Sequence, residues 1–503
     1  MIAEPAALSF RQALLAMLGI SLVLMLSALD QTVIGNALPS IVAQLHGFDL
    51  YAWVATGYLL ASIVTIPIFG RLGDYYGRKP FVLVATLIFM LASLICALAA
   101  SMPWLVAGRV LQGFGGGMLV GTAFACVPEL FPDTRQRLRW QLLLSAMFSV
   151  VNAIGPGLGG YLTGQFGWRS VFWLNLPLGL AALFFAWRYL PWYRPRLHAP
   201  VRLDWLGGLL IVLALGGLQL FVEGLGRSSA GGSLALGGLA LLALLGLIWQ
   251  ERRCASPLVP GALFAQRSMR LLFGLALLAG GVMFTLLFYL PLLLQGGFGY
   301  SPEQAGLLIT PLALSITLGA MVNSRLMTRL ANPNWLPLAG FTTLCCACAG
   351  LAATGQDTRF ALMTTLILLA GLGLGFVMLN LSVFTQTLAE RQHLGIATAL
   401  QQSLRLVGGL LGTAVMGSLV NLLYAHHIRL ALDAAGQSAA FERLRDPQVL
   451  MSGAAGLPAD WLLLARTALA QAIASGLLLC ALAALLAVWL TWRLPQVDLH
   501  TRR

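Results

Sequence analysis

Charge is what this chain has least of. Only 9% of its 503 residues are Asp, Glu, Lys or Arg, just 17 of them acidic, while 59% are hydrophobic. With a mean hydropathy of +0.86, that balance excludes an ordinary soluble domain. Cysteine is also scarce. The seven present are an odd number and lie mostly in apolar runs. Cys345 and Cys348 form a CxxC inside a hydrophobic stretch with no second pair, so they read as packing residues rather than a disulfide, zinc or redox site. No GxxxxGK[ST] string is present, which argues against ATP-driven pumping. The net charge of +13 is scattered over short loops, without the basic stripe or stacking platform that nucleic acid requires. No apolar run holds paired carboxylates, a His cluster or a nucleophile–base set, so the chain does not read as an enzyme.

What it does have is apolar runs of membrane length, about 20 residues each. Fourteen are legible, near 13–37, 51–69, 81–100, 103–127, 140–163, 171–190, 205–223, 232–249, 271–294, 303–324, 335–353, 360–386, 397–424 and 463–491. The first resembles a signal peptide, but Asp30 and Pro39 follow with no small-residue cleavage site, so it is expected to be an uncleaved first helix. An even count puts both termini on one side of the membrane. Most of the 30 Lys and Arg residues then fall on that side, which makes it cytoplasmic by the positive-inside rule.

The spans also repeat. A six-helix half over 1–195 and two linker helices over 196–255 precede a second six-helix half over 256–503, the latter with an external loop at 425–462. The fourth helix of each half is glycine-rich, GFGGGM from Gly113 and GLGLGF from Gly371, which allows close helix approach. The fold class expected is an all-α polytopic membrane protein. Two like halves in parallel order, with a site between them, is the architecture of many secondary transporters.

Asp30 is the only carboxylate well inside a predicted span. A charge there costs roughly 2.5–3.5 kcal/mol on insertion scales, so it needs a partner. Arg109 is that partner by depth: each lies about 10 Å below the outer surface at about 1.5 Å per residue. The alternatives are a helix-end carboxylate reaching the headgroups and a structural Arg holding carbonyls. Arg109, Gln112, Gly113 and Gly116 share one helix face. In the fifth helix Asn152, Gly155, Pro156, Gly159, Gly160 and Thr163 form a stripe, where Pro156 bends the helix and the glycines permit close packing. A substrate cavity between the halves is expected to be lined by Asn36, Gln112, Asn152, Phe284, Tyr289 and Gln295. The few buried carboxylates favour an amphiphilic or lipophilic small molecule as cargo.

The loop GRLGDYYGRKP, Gly70 to Pro80, resembles the GxLxDxxGR(K/R) loop of the major facilitator superfamily. RVLQG around Arg109 is similar to that family's RxxQG motif, and GPGLGG at 155–160 to the GPxxGG of its antiporters. LDQTVIGNALP, WRSVFWLNLP, YLPLLLQGGFGYSPEQAGLLITP and SLRLVGGLLG look like the fourteen-helix drug:proton antiporter branch. Tyr75, Val151 and Thr328 depart from the family patterns. The resemblance implies a major facilitator fold and proton coupling through Asp30 and Arg109. It implies a conformational latch built from Gly70, Gly73, Asp74, Gly77, Arg78 and Lys79, and an antiporter bend at Gly155, Pro156, Gly159 and Gly160. It further implies multidrug export across a bacterial inner membrane, driven by the proton gradient with no cofactor. A periplasmic adaptor is allowed as a partner, although no docking motif is visible. The alternatives are export of a specific metabolite or siderophore, and uniport.

Overall fold

Inside hydrocarbon every backbone N–H and C=O must be paired within the chain, so apolar runs of this length fold as helices. In the computed structural model they do. It describes residues 10–497 except 132–133, 193–203, 225–229, 255–260, 328, 331, 357, 390–393, 435–440, 445–446, 448–449 and 451–457. Among the described residues there is no β-strand. The first half comprises α1 (Phe10–Leu45), α2 (Tyr51–Tyr76), α3 (Arg78–Ala97), α4 (Met102–Leu130), α5 (Thr134–Phe166), the short α6 (Arg169–Trp173) and α7 (Asn175–Tyr189). Next come α8 (Trp205–Gly224) and α9 (Ala230–Arg253). The remainder is α10 (Gly261–Ala265), α11 (Arg267–Leu292), α12 (Pro302–Met327), α13 (Trp335–Ala352), α14 (Phe360–Leu388), α15 (Leu394–Ala434), α16 (Phe441–Leu444) and α17 (Ala459–Trp492).

Twelve of the described helices are long and apolar enough to cross a membrane, against the fourteen expected. The two outside that set are α4 and α5, which are nonetheless 29 and 33 residues long. Two boundaries also move. The first run was expected at 13–37, but α1 continues through Pro39 to Leu45, so Asp30 stands roughly 22 Å of helix before that end at about 1.5 Å per residue. The expected external loop 425–462 is helical through Ala434 and again from Ala459. His426, His427 and Asp433 therefore sit on α15. The apolar Ile428 and Leu432 in the same stretch are fully buried, and that burial prolongs the helix.

Within the first half α2 packs on α4, α3 on α4 and α1 on α5 and α7. In the second, α11 packs on α15, and α14 on α12 and α13. The halves meet along α2–α15, α5–α12 and α1–α11. The α8–α9 pair stands outside this core. α8 touches both α2 and α15, while α9 exposes Leu241, Leu242 and Leu245, an apolar surface suited to lipid.

Candidate functional site

The α4 glycines position the site. A side chain at Gly113 would run into the Tyr58 backbone, and one at Gly116 into the Tyr58 hydroxyl. Without side chains there, α4 lies directly against α2, and the Ser62 hydroxyl donates to the Gly113 carbonyl at 2.9 Å. This close contact turns the Arg109–Gln112 face of α4 inward.

Arg109 and Asp30 meet in the interior. Arg109 Nη1 lies 2.5 Å from Asp30 Oδ2, and both residues are only 1% exposed. Both partners of this ion pair are buried. A buried charge is tolerated when it is paired and hydrogen-bonded, and here it is both. Asp30 Oδ1 accepts from Gln112 Nε2 at 2.7 Å and from Asn175 Nδ2 at 3.0 Å. Arg109 also donates from Nη1 to Gln112 Oε1 at 2.6 Å and from Nε to the Val54 carbonyl at 3.1 Å. Its guanidinium lies 4.6 Å from the centre of the Tyr58 ring, a cation–π contact. Ser93 Oγ accepts from Gln112 and Asn175 at 2.8 and 3.2 Å, and the Tyr58 hydroxyl pairs with Ser27 Oγ at 3.1 Å. The cluster around this carboxylate thus joins α1, α4 and α7 directly, α2 through Arg109 and α3 through Ser93.

The sequence alone pointed to Asp30 and Arg109 and missed Asn175, Ser93 and Tyr58. Asn175 lies inside the quoted string WRSVFWLNLP, and a polar amide in an apolar run was the available signal. Ser93 and Tyr58 gave none, because single hydroxyls are common in such helices.

Of the six candidate cavity residues, Asn36 and Gln295 meet each other. Gln112 belongs to the ion-pair cluster. Asn36 donates to the Pro156 and Pro302 carbonyls at 3.1 and 3.2 Å, and Gln295 Nε2 donates back to the Asn36 carbonyl at 2.9 Å. Gln295 sits in a π-helical turn, Leu293–Gly297, where the widened backbone swings its amide to the first half. Phe284 is buried with its ring stacked 6.3 Å from Phe288. Tyr289 donates to the Thr413 carbonyl at 3.2 Å and lies 5.4 Å from the Tyr51 ring. Together with Gln219 and Asn421 it lines a crevice between α2, α8, α11 and α15. Asn152 is half-buried.

Gly155 and Gly159 press against Thr32 and Val33 of α1, while Gly160 faces Pro302 and Gly306 of α12. Pro156 lies inside α5 and presents its carbonyl to Asn36. Other side-chain links between the halves lie at the same end: Tyr51 donates to the Phe288 carbonyl at 2.7 Å, and Gln165 to Glu303 at 2.5 Å. In the loop, Gly77 adopts φ +84°, a left-handed conformation that favours glycine. A side chain on Gly70 or Gly73 would approach Gly121 or Thr122 of α4, Arg78 is half-buried, and Lys79 donates to the Trp187 carbonyl at 2.7 Å. The Asp74 side chain lies outside the described residues.

Long apolar helices in two halves, the first of them holding a buried ion pair, make a polytopic membrane protein. Residues 20–413 match the Major Facilitator Superfamily, and the chain belongs to that family. It is 30% identical over 439 residues to multidrug resistance protein 3 of Bacillus subtilis, covering 86% of this chain and 85% of that one. To the multidrug transporter protein MdtP of the same organism it is 30% identical, over 80% and 74% of the two chains. The tetracenomycin C resistance and export protein of Streptomyces glaucescens is 32% identical, over 80% and 75%. Among solved structures, an inward-facing, unoccupied bacterial homologue of the human lysosomal transporter Spinster matches 97% of both chains. Its TM-score is 0.69 and its identity 15%, a likeness of fold alone. The chain is thus a multi-pass membrane transporter of small molecules, with relatives named as multidrug and export proteins, in a fold and family that are not enzymatic in general.

Proposed function

We propose that this chain is a proton-coupled antiporter that exports amphiphilic or lipophilic small molecules across a bacterial inner membrane by alternating access, with both termini cytoplasmic. The observation that carries the reading is the buried Asp30–Arg109 pair. A proton on Asp30 removes the charge that three donors hold, and Arg109 is left without its counter-ion. The loss reaches the five helices joined there, so proton and conformation are linked through one carboxylate. The names of the relatives support efflux of drug-like compounds. The polar links between the halves gather where α1 ends and α2 begins, which fits a state closed to the outside and open to the cytoplasm. Gly70 to Lys79 is the latch at the opposite end, and the Gly155–Gly160 stretch closes the outer seam against α1 and α12.

No cofactor is required, because one charge moving through about 100 mV releases about 2.3 kcal/mol, enough for a gradient of several tens-fold. The test is uptake of a fluorescent lipophilic dye into proteoliposomes under an imposed pH gradient, with wild type and Asp30→Asn. Full gradient-driven transport by Asp30→Asn would overturn the assignment of the proton site. Dye movement without accompanying proton flux would instead identify a uniporter.

A further inference from the structure

The second half contains a half-buried intramembrane cation that the ion-pair cluster does not use. Arg405 lies on α15 inside the candidate span Leu400–Asp433. Its Nη1 meets only Met378 Sδ, at 3.7 Å, a weak acceptor. Its Nε is buried without a hydrogen-bond partner, and among the described residues no carboxylate forms an ion pair with it. Around it lie more unanswered polar atoms. Gln401 is 2% exposed and Thr385 fully buried, and Gln401 Oε1, Gln402 Oε1 and Thr385 Oγ1 have no partner. The spacing brings them together: Gln401 and Gln402 stand four and three residues before Arg405 on one face of α15, and Met378 and Thr385 are two turns apart on one face of α14. The two helices pack against each other. Native interiors pair such groups, and an unpaired cluster calls for a missing ligand.

We infer that the α14–α15 seam at Arg405 is a binding subsite for an amphiphile headgroup that carries an anion beside a hydroxyl. The planar guanidinium suits a carboxylate or phosphate, and the glutamine carbonyl oxygens accept from the neighbouring hydroxyl. The chemistry has two sources, a hydroxylated anionic cargo molecule or the phosphate and glycerol of a membrane lipid. As cargo, the occupant rests on the export reading above. Binding needs no proton gradient, however, so the two readings fail separately: transport lost with binding intact touches only the coupling.

The test is binding of radiolabelled β-hydroxydecanoate to the full chain in phosphatidylcholine nanodiscs, with phosphatidylglycerol retained through purification counted by mass spectrometry. Arg405→Gln is expected to weaken β-hydroxydecanoate at least about tenfold, the scale of a lost charge-assisted hydrogen bond. Arg405→Lys should restore part of it, and decanol should not compete. Gln401→Leu should weaken β-hydroxydecanoate about threefold and leave decanoate unchanged, a selective loss that a general packing defect would not give. If Arg405→Gln instead sheds retained phosphatidylglycerol, the site stands with lipid as its occupant. Equal retention of both ligands by wild type and Arg405→Gln, or equal competition by decanol, overturns the proposal. Should Arg405→Gln fail to fold, Arg405→Lys and Gln401→Leu decide the matter on the same readouts.

Discussion

Arg109 and Arg405 are two intramembrane arginines in corresponding halves of one fold, and the structure treats them oppositely. Arg109 meets a carboxylate, an amide oxygen, a backbone carbonyl and an aromatic face. Arg405 meets a thioether and otherwise lacks partners. The two stand at different places in the repeat, Arg109 on the fourth long helix of its half and Arg405 on the fifth of its own. In the first half the charge is internal to the fold and sits in a cluster drawn from five helices, in keeping with the proposed coupling role. In the second it is left open along a seam, in keeping with the proposed binding role.

The comparison can be broken in several ways. The largest effect is expected from Asp30→Asn, with gradient-driven dye transport falling by about 100-fold, the scale on which losing a positioned proton carrier acts. Initial rates in proteoliposomes check it. Next, Arg109→Ala strands a buried carboxylate and should cost about 3–5 kcal/mol of stability. Arg405→Met removes a cation without a counter-ion and should leave the unfolding temperature level or raise it. Thermal unfolding of both variants in one detergent reads the contrast directly, and equal losses would mean that the two arginines do not differ. Asn175→Leu deletes one donor to Asp30 and should cost about 1–3 kcal/mol by the same measurement. The smallest effect belongs to Tyr51→Phe, which removes one link between the halves. A net loss of about 1 kcal/mol should raise the labelling rate of a cysteine placed at the outer seam several-fold.

Much of this was legible in the chain. Apolar runs gave the helices, and the lone carboxylate gave Asp30. RVLQG and the glycines beside it gave the face of α4 that holds Arg109. The cavity residues were less legible, because polarity in a helix says that a group needs a partner and not which one. Gln112 found Asp30, whereas Asn36 and Gln295 found each other across the halves. Helix ends were misjudged where burial rather than composition sets them, as with Ile428 and Leu432 beyond the expected end of their span.

The sequence by itself determined that this protein lives in a membrane, that it is helical and repeated, and that one acidic side chain inside it must be answered. Those follow from transfer free energies and backbone hydrogen bonding, which act residue by residue. Only the tertiary structure decided who answers. Asn175, Ser93 and Tyr58 reach the Asp30 cluster from three other helices, and Arg405 is left without such company, because partner choice depends on which helix faces meet.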